Sequence, residues 1–270
     1  MSSKADVIAF WDRASCGEEL YLHGRDVAGF ALQARERYRL EPYIPAFADF
    51  SAAKGKSVLE IGVGLGADHE EFARAGANLA GIDLTPRAID HTNLRLMGAG
   101  LHSDLKVGDA ESLAFADDTF DTVYSWGVIH HSPDVPRCVA EIRRVLKPGG
   151  VAKIMVYHTA SMVGYMLWLR YAGLTLRWNT SLADIYARHL ESPGTKAFSI
   201  EQARTMFAAF EDVHIRTVLT HGDLLSSQAG QRHGVLTLAV ARLMWPRRLI
   251  KALLPNHGLF MLIEARKPAA

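Results

Sequence analysis

Residues Val58 to Ala67 read VLEIGVGLGA, an apolar run carrying one acid, Glu60, and then glycines at alternate positions, Gly62, Gly64 and Gly66. Glycines so spaced let a chain turn sharply from a strand into a helix while a ligand lies against bare backbone. A second apolar run, Leu79 to Ile82, delivers Asp83, a carboxylate about twenty residues past the first glycine, where such folds hold a nucleotide ribose. The pattern predicts an adenosine-containing ligand.

The glycine motif alone leaves that ligand open. With Ala67 in its last position it also satisfies the dinucleotide fingerprint, so a nicotinamide-dependent oxidoreductase remains an alternative on this feature. Glu60, at a strand end just before Gly62, can engage a cationic amino group but would repel a pyrophosphate, and no Arg or Lys flanks the loop. A further carboxylate follows the third strand in Gly108-Asp109-Ala110-Glu111, placed to accept from an adenine amine. Carboxylates at successive strand tips suit a ligand with an ammonium, a ribose diol and an adenine but no phosphate, which is S-adenosylmethionine.

These side chains must be held by strands alternating with helices. Strands are expected at Ser57–Ile61, Asn78–Ile82, Leu105–Val107, Thr122–Trp126, Val151–Tyr157, Val213–Leu219 and Gly258–Ala265. Helices are expected at Ala28–Leu40, Asp68–Ala75, Pro86–Met97, Val135–Leu146 and Ile200–Phe210, with a short one around Val7, Phe10 and Trp11. Continuous apolar strands between helices call for a mostly parallel, doubly wound α/β sheet covered on both faces. The segment Lys147-Pro148-Gly149-Gly150 reads as a helix stop and a turn into the next strand. The chain divides into an N-terminal helical lid (1–50), a cofactor-binding core (51–158), a helical cap insert (159–199) and a C-terminal part of the sheet (200–270) with a second insert (220–255).

Taken in order, the motifs Val58–Gly66, Gly81-Ile-Asp-Leu84, Gly108-Asp-Ala-Glu111, Phe120–Trp126 and Arg144-Val-Leu-Lys-Pro-Gly-Gly150 resemble the class I S-adenosylmethionine-dependent methyltransferases of small-molecule type over roughly Leu40 to His158. The resemblance implies a seven-stranded sheet whose last strand is antiparallel. It also implies roles. Glu60 would hold the methionine amino group, and Gly62, Gly64 and Gly66 would admit the methionine and ribose. Asp83 would bind the ribose hydroxyls and Leu84 the adenine face. Asp109 and the Ala110 amide would meet the adenine edge, and Ser125, Trp126 and Gly127 would line the sulfonium region. The N-terminal segment would close as a lid, with Tyr38, or Arg25 or Arg37, on the methionine carboxylate.

A sulfonium methyl is already activated, so the enzyme mainly aligns a nucleophile and excludes water, and a base helps when the acceptor starts protonated. His131 is the first candidate and His130 the second, both just past the fourth strand; the alternative is that one caps the next helix while the other packs. Tyr157, ending the fifth strand, could donate to an acceptor oxygen or merely cover the pocket. Tyr186, Arg188, His189 and Glu191, and later His221, Asp223, Gln231, Arg232 and His233, are polar groups between apolar helices that could line an acceptor site. No metal is expected, because His221, Asp223 and His233 match no zinc spacing. The expected reaction is methyl transfer to a small, partly apolar acceptor on O, N or C, in quinone, lipid-like or specialised metabolism. Cyclisation or decarboxylation of the same cofactor is the alternative.

Composition narrows the partners. Lys and Arg number 30 against 29 Asp and Glu, with no basic tract, which argues against nucleic acid. Two cysteines, Cys16 and Cys138, exclude a disulfide framework. Arg170 interrupts the apolar stretch Ala160–Leu176, so no integral membrane span is expected; a membrane-surface role for it, or for Val235–Leu254, is the lesser reading. The N-terminus lacks a signal-peptide core, and a cytoplasmic location is expected. Oligomeric state is not readable.

Overall fold

A computed structural model describes residues 3–227 and 245–269. Strands β1 (Ser57–Ile61), β2 (Asn78–Asp83), β3 (Asp104–Val107), β4 (Phe120–Trp126), β5 (Leu146–Tyr157), β6 (Glu211–Val218) and β7 (Phe260–Arg266) form one sheet in the order β3-β2-β1-β4-β5-β7-β6. The first five pair in parallel, and β7 runs antiparallel to both β5 and β6, as the motif series implied.

Ahead of the sheet lie α1 (Lys4–Trp11), α2 (Glu18–Tyr21), α3 (Val27–Leu40) and α4 (Ile44–Ala48). Within the alternating part come α5 (Ala67–Arg74), α6 (Pro86–Gly98) and α7 (Val135–Val145). The cap holds α8 (Met162–Trp168) and α9 (Leu182–His189), and α10 (Ile200–Met206) and α11 (Arg247–Leu253) follow. None of the described helices is long and apolar enough to cross a membrane.

Strand alternation sorts β1 between two layers. Leu59 and Ile61 are buried with Ile142 and Val145 of α7 and with Ala203 and Phe207, while Val58 is buried with Phe72 of α5 and Phe47 of α4. Helix starts follow local chemistry. Thr85 caps α6 by accepting from the Ala88 amide ahead of Pro86, and Asp134 caps α7 by accepting from the Arg137 amide.

Two expectations are corrected here. Lys147-Pro148-Gly149-Gly150 lies inside β5, not before it: Phe120 pairs with Leu146 and Thr122 with Val151, so the extra residues form an irregularity in the ladder, with Gly149 at φ 75°. The helix from Ile200 ends at Met206, and Phe207 and Phe210 turn into the core instead of extending it.

Candidate active site

The strand order reverses between β1 and β4, which opens a crevice at their carboxyl ends. Gly62, Gly64 and Gly66 all have positive φ there, but their missing side chains do different work. A Cβ on Gly62 would come within 2.1 Å of Val128, and one on Gly66 within 2.8 Å of Thr92, so both make room for the protein itself. A Cβ on Gly64 would meet nothing within 4 Å, so of the three it is the one that presents bare backbone to open space. Beside it Asp83 ends β2, its Oδ1 accepting from the amide and hydroxyl of Thr85 at 3.0 Å and its Oδ2 from the Gly64 amide at 3.2 Å. Leu84 and Ala110, both half-buried, flank this corner. Asp109 is half-buried after β3 and is claimed by the lid: Lys4 Nζ lies 2.5 Å from Asp109 Oδ2 and 2.6 Å from Glu111 Oε2.

Glu60 departs from the expected ammonium contact. It points to the α5 face of the sheet, where its Oε2 lies 2.9 Å from His69 Nδ1. The far nitrogen of that ring, Nε2, lies 2.8 Å from the Ser103 hydroxyl, which itself donates to the Leu79 carbonyl. Ser103 has thus used its proton and can only accept, so Nε2 carries a ring hydrogen. Burial, reinforced by the Asp68 charge, raises the Glu60 carboxyl well above the ordinary range, while burial drops His69 to about 3. Both directions favour the uncharged pair, in which the Glu60 carboxyl donates to Nδ1.

Tyr38 and Arg37 are likewise engaged. The Arg37 guanidinium grips Asp68 through Nε at 3.0 Å and Nη2 at 2.6 Å, and the hydroxyls of Tyr38 and Tyr124 donate to the same carboxylate at 3.0 and 2.8 Å. Burial alone would raise the Asp68 carboxyl, but the Arg37 charge and these hydrogen bonds outweigh it and hold it below its usual value. Asp68 thereby ties α3 of the lid to α5 and β4, and Arg25 is exposed.

Glu41 Oε2 lies 3.4 Å from the Arg37 guanidinium, and burial pushes its carboxyl up to about 7. A carboxyl raised in the folded state stabilises it fully below the unfolded value near 4.5, and that stability is lost as pH rises to about 7. The gap corresponds to about 3 kcal/mol. Glu41→Gln should therefore gain on the wild type in denaturant unfolding as pH rises from 4.5 to 8, and parallel pH profiles would contradict this.

Past β4 the chain makes a short 3₁₀ turn, Ile129–His131, that buries both histidines. His131 Nδ1 is 2.8 Å from the Ser192 hydroxyl and 3.1 Å from that of Thr195. Thr195 already donates to the Ser192 carbonyl at 2.7 Å, so of the two hydroxyls only that of Ser192 can donate to Nδ1, and either can accept from it. Nε2 faces Glu191 Oε2 at 3.5 Å, and the Tyr157 hydroxyl donates to that same oxygen at 2.6 Å. The His130 ring lies 4.2 Å from His131 and 4.0 Å from Tyr157, and burial pushes its pKa well below the ordinary value. The Trp11 ring of α1 meets His131 at 5.2 Å, so the lid does reach this side.

A family model described as a methyltransferase domain matches residues 59–154. An uncharacterized protein of Mycobacterium tuberculosis is 32% identical over 139 residues, 51% of this chain and 50% of that protein, so the chain spans about half the length of the first curated relatives it matches. A ubiquinone biosynthesis O-methyltransferase of Ralstonia nicotianae is 30% identical over 172 residues, 62% of this chain and 72% of that protein. The chain belongs to the class I S-adenosylmethionine-dependent methyltransferases. The fold of this methyltransferase also matches Haemonchus contortus phosphoethanolamine N-methyltransferase 2, solved with phosphomonomethylethanolamine and S-adenosylhomocysteine. That match has a TM-score of 0.56 at 19% identity and covers 80% of this chain and 50% of that one.

S-adenosylmethionine, the cofactor of the family, suits what this methyltransferase carries at the crevice. Gly64 leaves a space that a Cβ would fill, Asp83 stands at its rim, and the buried Ser125 hydroxyl of β4 has no hydrogen-bond partner among the described residues. Of the second insert, Asp223 is a structural staple: its carboxylate accepts from the Thr220, Val163 and Leu259 amides. His221 pairs with Ser227, Tyr186 is buried against Ser161, and His189 stacks on Tyr171. Gln231, Arg232 and His233 lie outside the described residues. Asp68 and Lys4 escaped the sequence reading. The acid in the first turn after the glycines was a signal for Asp68, whereas nothing local marks Lys4.

Proposed function

We propose that this methyltransferase moves a methyl group from S-adenosylmethionine to the O, N or C nucleophile of a small, partly apolar organic acceptor. The observation that carries the reading is a juxtaposition: Val128, packed against Gly62 of the cofactor loop, lies two residues before His130 in the buried cluster with His131, Tyr157 and Glu191. When bound, the cofactor supplies a methyl group already activated by a sulfonium. The Gly64 backbone and Asp83 hold its ribose, Leu84, Ala110 and Asp109 its adenine, and Ser125 and Trp126 wall its methionine end. Opposite them the acceptor's nucleophilic atom rests against His131, Glu191 and Tyr157 and loses its proton there. The aromatic and aliphatic surroundings exclude water, and the lid residue Trp11 closes over His131. The similarity to a ubiquinone biosynthesis O-methyltransferase supports an aromatic hydroxyl as the first acceptor class to try.

Calorimetry with S-adenosylhomocysteine tests the cofactor half. The wild type should bind, and Asp83→Ala should weaken binding by about 1–3 kcal/mol through lost hydrogen bonds to the ribose. An unchanged dissociation constant, or binding of NAD in its place, would overturn the reading. Incubation with S-adenosylmethionine and a panel of hydroxylated aromatic acceptors tests the other half. Release of S-adenosylhomocysteine should need an acceptor, and consumption of the cofactor without one would favour cyclisation or decarboxylation.

A further inference from the structure

We infer that His130, His131 and Glu191 form a divalent-metal site, suited to zinc, at the acceptor end of this pocket. Their donor atoms all lie within 4.8 Å of one another. Neither ring nitrogen of His130 nor the Nε2 of His131 has a hydrogen-bond partner among the described residues, although all are buried. A neutral imidazole has one bare nitrogen, so at least one His130 lone pair is buried beside a carboxylate with no donor, an unfavourable group unless something positive joins it, since buried polar atoms are normally satisfied. A proton on His131 Nε2 would satisfy that ring and Glu191 but leave both His130 nitrogens orphaned. One cation gives a partner to one nitrogen of each ring and to the carboxylate together.

The spacing agrees. Ligands at about 2.1 Å around a tetrahedral ion stand about 3.4 Å apart, and His131 Nε2 and Glu191 Oε2 are already 3.5 Å apart. A His130 nitrogen lies within 4.8 Å of both and would close on the ion by a turn of its ring. The supporting contacts are those of a metal site: with Nε2 on the ion, Nδ1–H would donate to the Ser192 or Thr195 hydroxyl, and the Tyr157 hydroxyl orients Glu191. Two imidazoles and one carboxylate leave a fourth position open, the pattern of catalytic rather than structural zinc.

This deepens the methyl-transfer reading and rests on it only for the role of the ion. An acceptor hydroxyl in the open position would have its pKa lowered by the cation, release its proton to solvent water as it binds, and be held as the oxyanion facing the methyl group. His131 is then a ligand, and the ion does the work that a base would otherwise do.

The test uses the full chain, stripped with a chelator and titrated with Co²⁺. One equivalent should bind with the visible d–d absorption of a four- or five-coordinate ion, and Zn²⁺ should displace it. Glu191→Gln, which keeps the side-chain shape, and His130→Ala should each lower cobalt affinity about 100-fold or more, and Tyr157→Phe about 10- to 100-fold. Circular dichroism and S-adenosylhomocysteine binding check that each variant is folded. Absence of the cobalt spectrum, or an unchanged affinity in folded Glu191→Gln, overturns the metal site. Cobalt binding without S-adenosylhomocysteine binding would leave the metal site standing and remove the methyl-transfer reading, and the converse result would do the opposite.

Discussion

Replacing Asp68 by alanine is expected to lower the unfolding free energy by about 3–5 kcal/mol, the range for removing one partner of a buried ion pair. Asp68 is 3% exposed and carries a two-point contact from Arg37 with hydroxyl donors from Tyr38 and Tyr124. Alanine would leave the guanidinium without its counter-charge and two phenols without an acceptor, in a place where water is scarce. The loss comes from the groups left behind more than from the contact itself. The double variant Asp68→Leu with Arg37→Met should therefore be less destabilised than Asp68→Ala alone, since it leaves no orphaned charge. Urea unfolding of the wild type, each single variant and the pair gives the coupling directly. A loss below about 1 kcal/mol for Asp68→Ala would mean that solvent reaches Arg37, whose side chain is 24% exposed, and screens it.

The same cluster shows which features a sequence displays and which it hides. The apolar runs Val58–Ile61 and Leu79–Ile82, the glycines between them and the Asp83 tip were all readable, because strand burial and turn geometry are local properties. The partner of Glu60 was not. Its position at a strand end suggested an anion facing a ligand, but its charge state depends on a relay through His69 and Ser103 to the Leu79 carbonyl, set by how α5 packs. Tyr38 was seen as a lid residue and found at Asp68, because α3 lies on α5 and not on the crevice. Glu191, Ser192 and Thr195 reach His131 from the cap, sixty or more residues along the chain, and only the docking of the cap onto the end of β4 brings them there. Local patterns located the cofactor corner, whereas the acceptor side is assembled by tertiary contacts.

Replacing His131 by alanine should lower turnover about 100-fold or more while leaving the affinity for S-adenosylhomocysteine within about twofold. The two halves of that result belong to different parts of the pocket. Gly64 and Asp83 lie across the end of β4 and do not touch the imidazole, so the cofactor constant has no reason to move. What disappears is the nitrogen facing Glu191, which removes either the place for the acceptor's proton or one ligand of the ion that activates the acceptor. The Ser192–Thr195 turn should survive, because Thr195 keeps its bond to the Ser192 carbonyl. A fall confined to KM, with turnover kept, would assign the ring to holding the acceptor only. Turnover within about threefold of the wild type would reduce His131 to packing between Trp11 and His130, and the group that activates the acceptor would have to be sought elsewhere along the crevice.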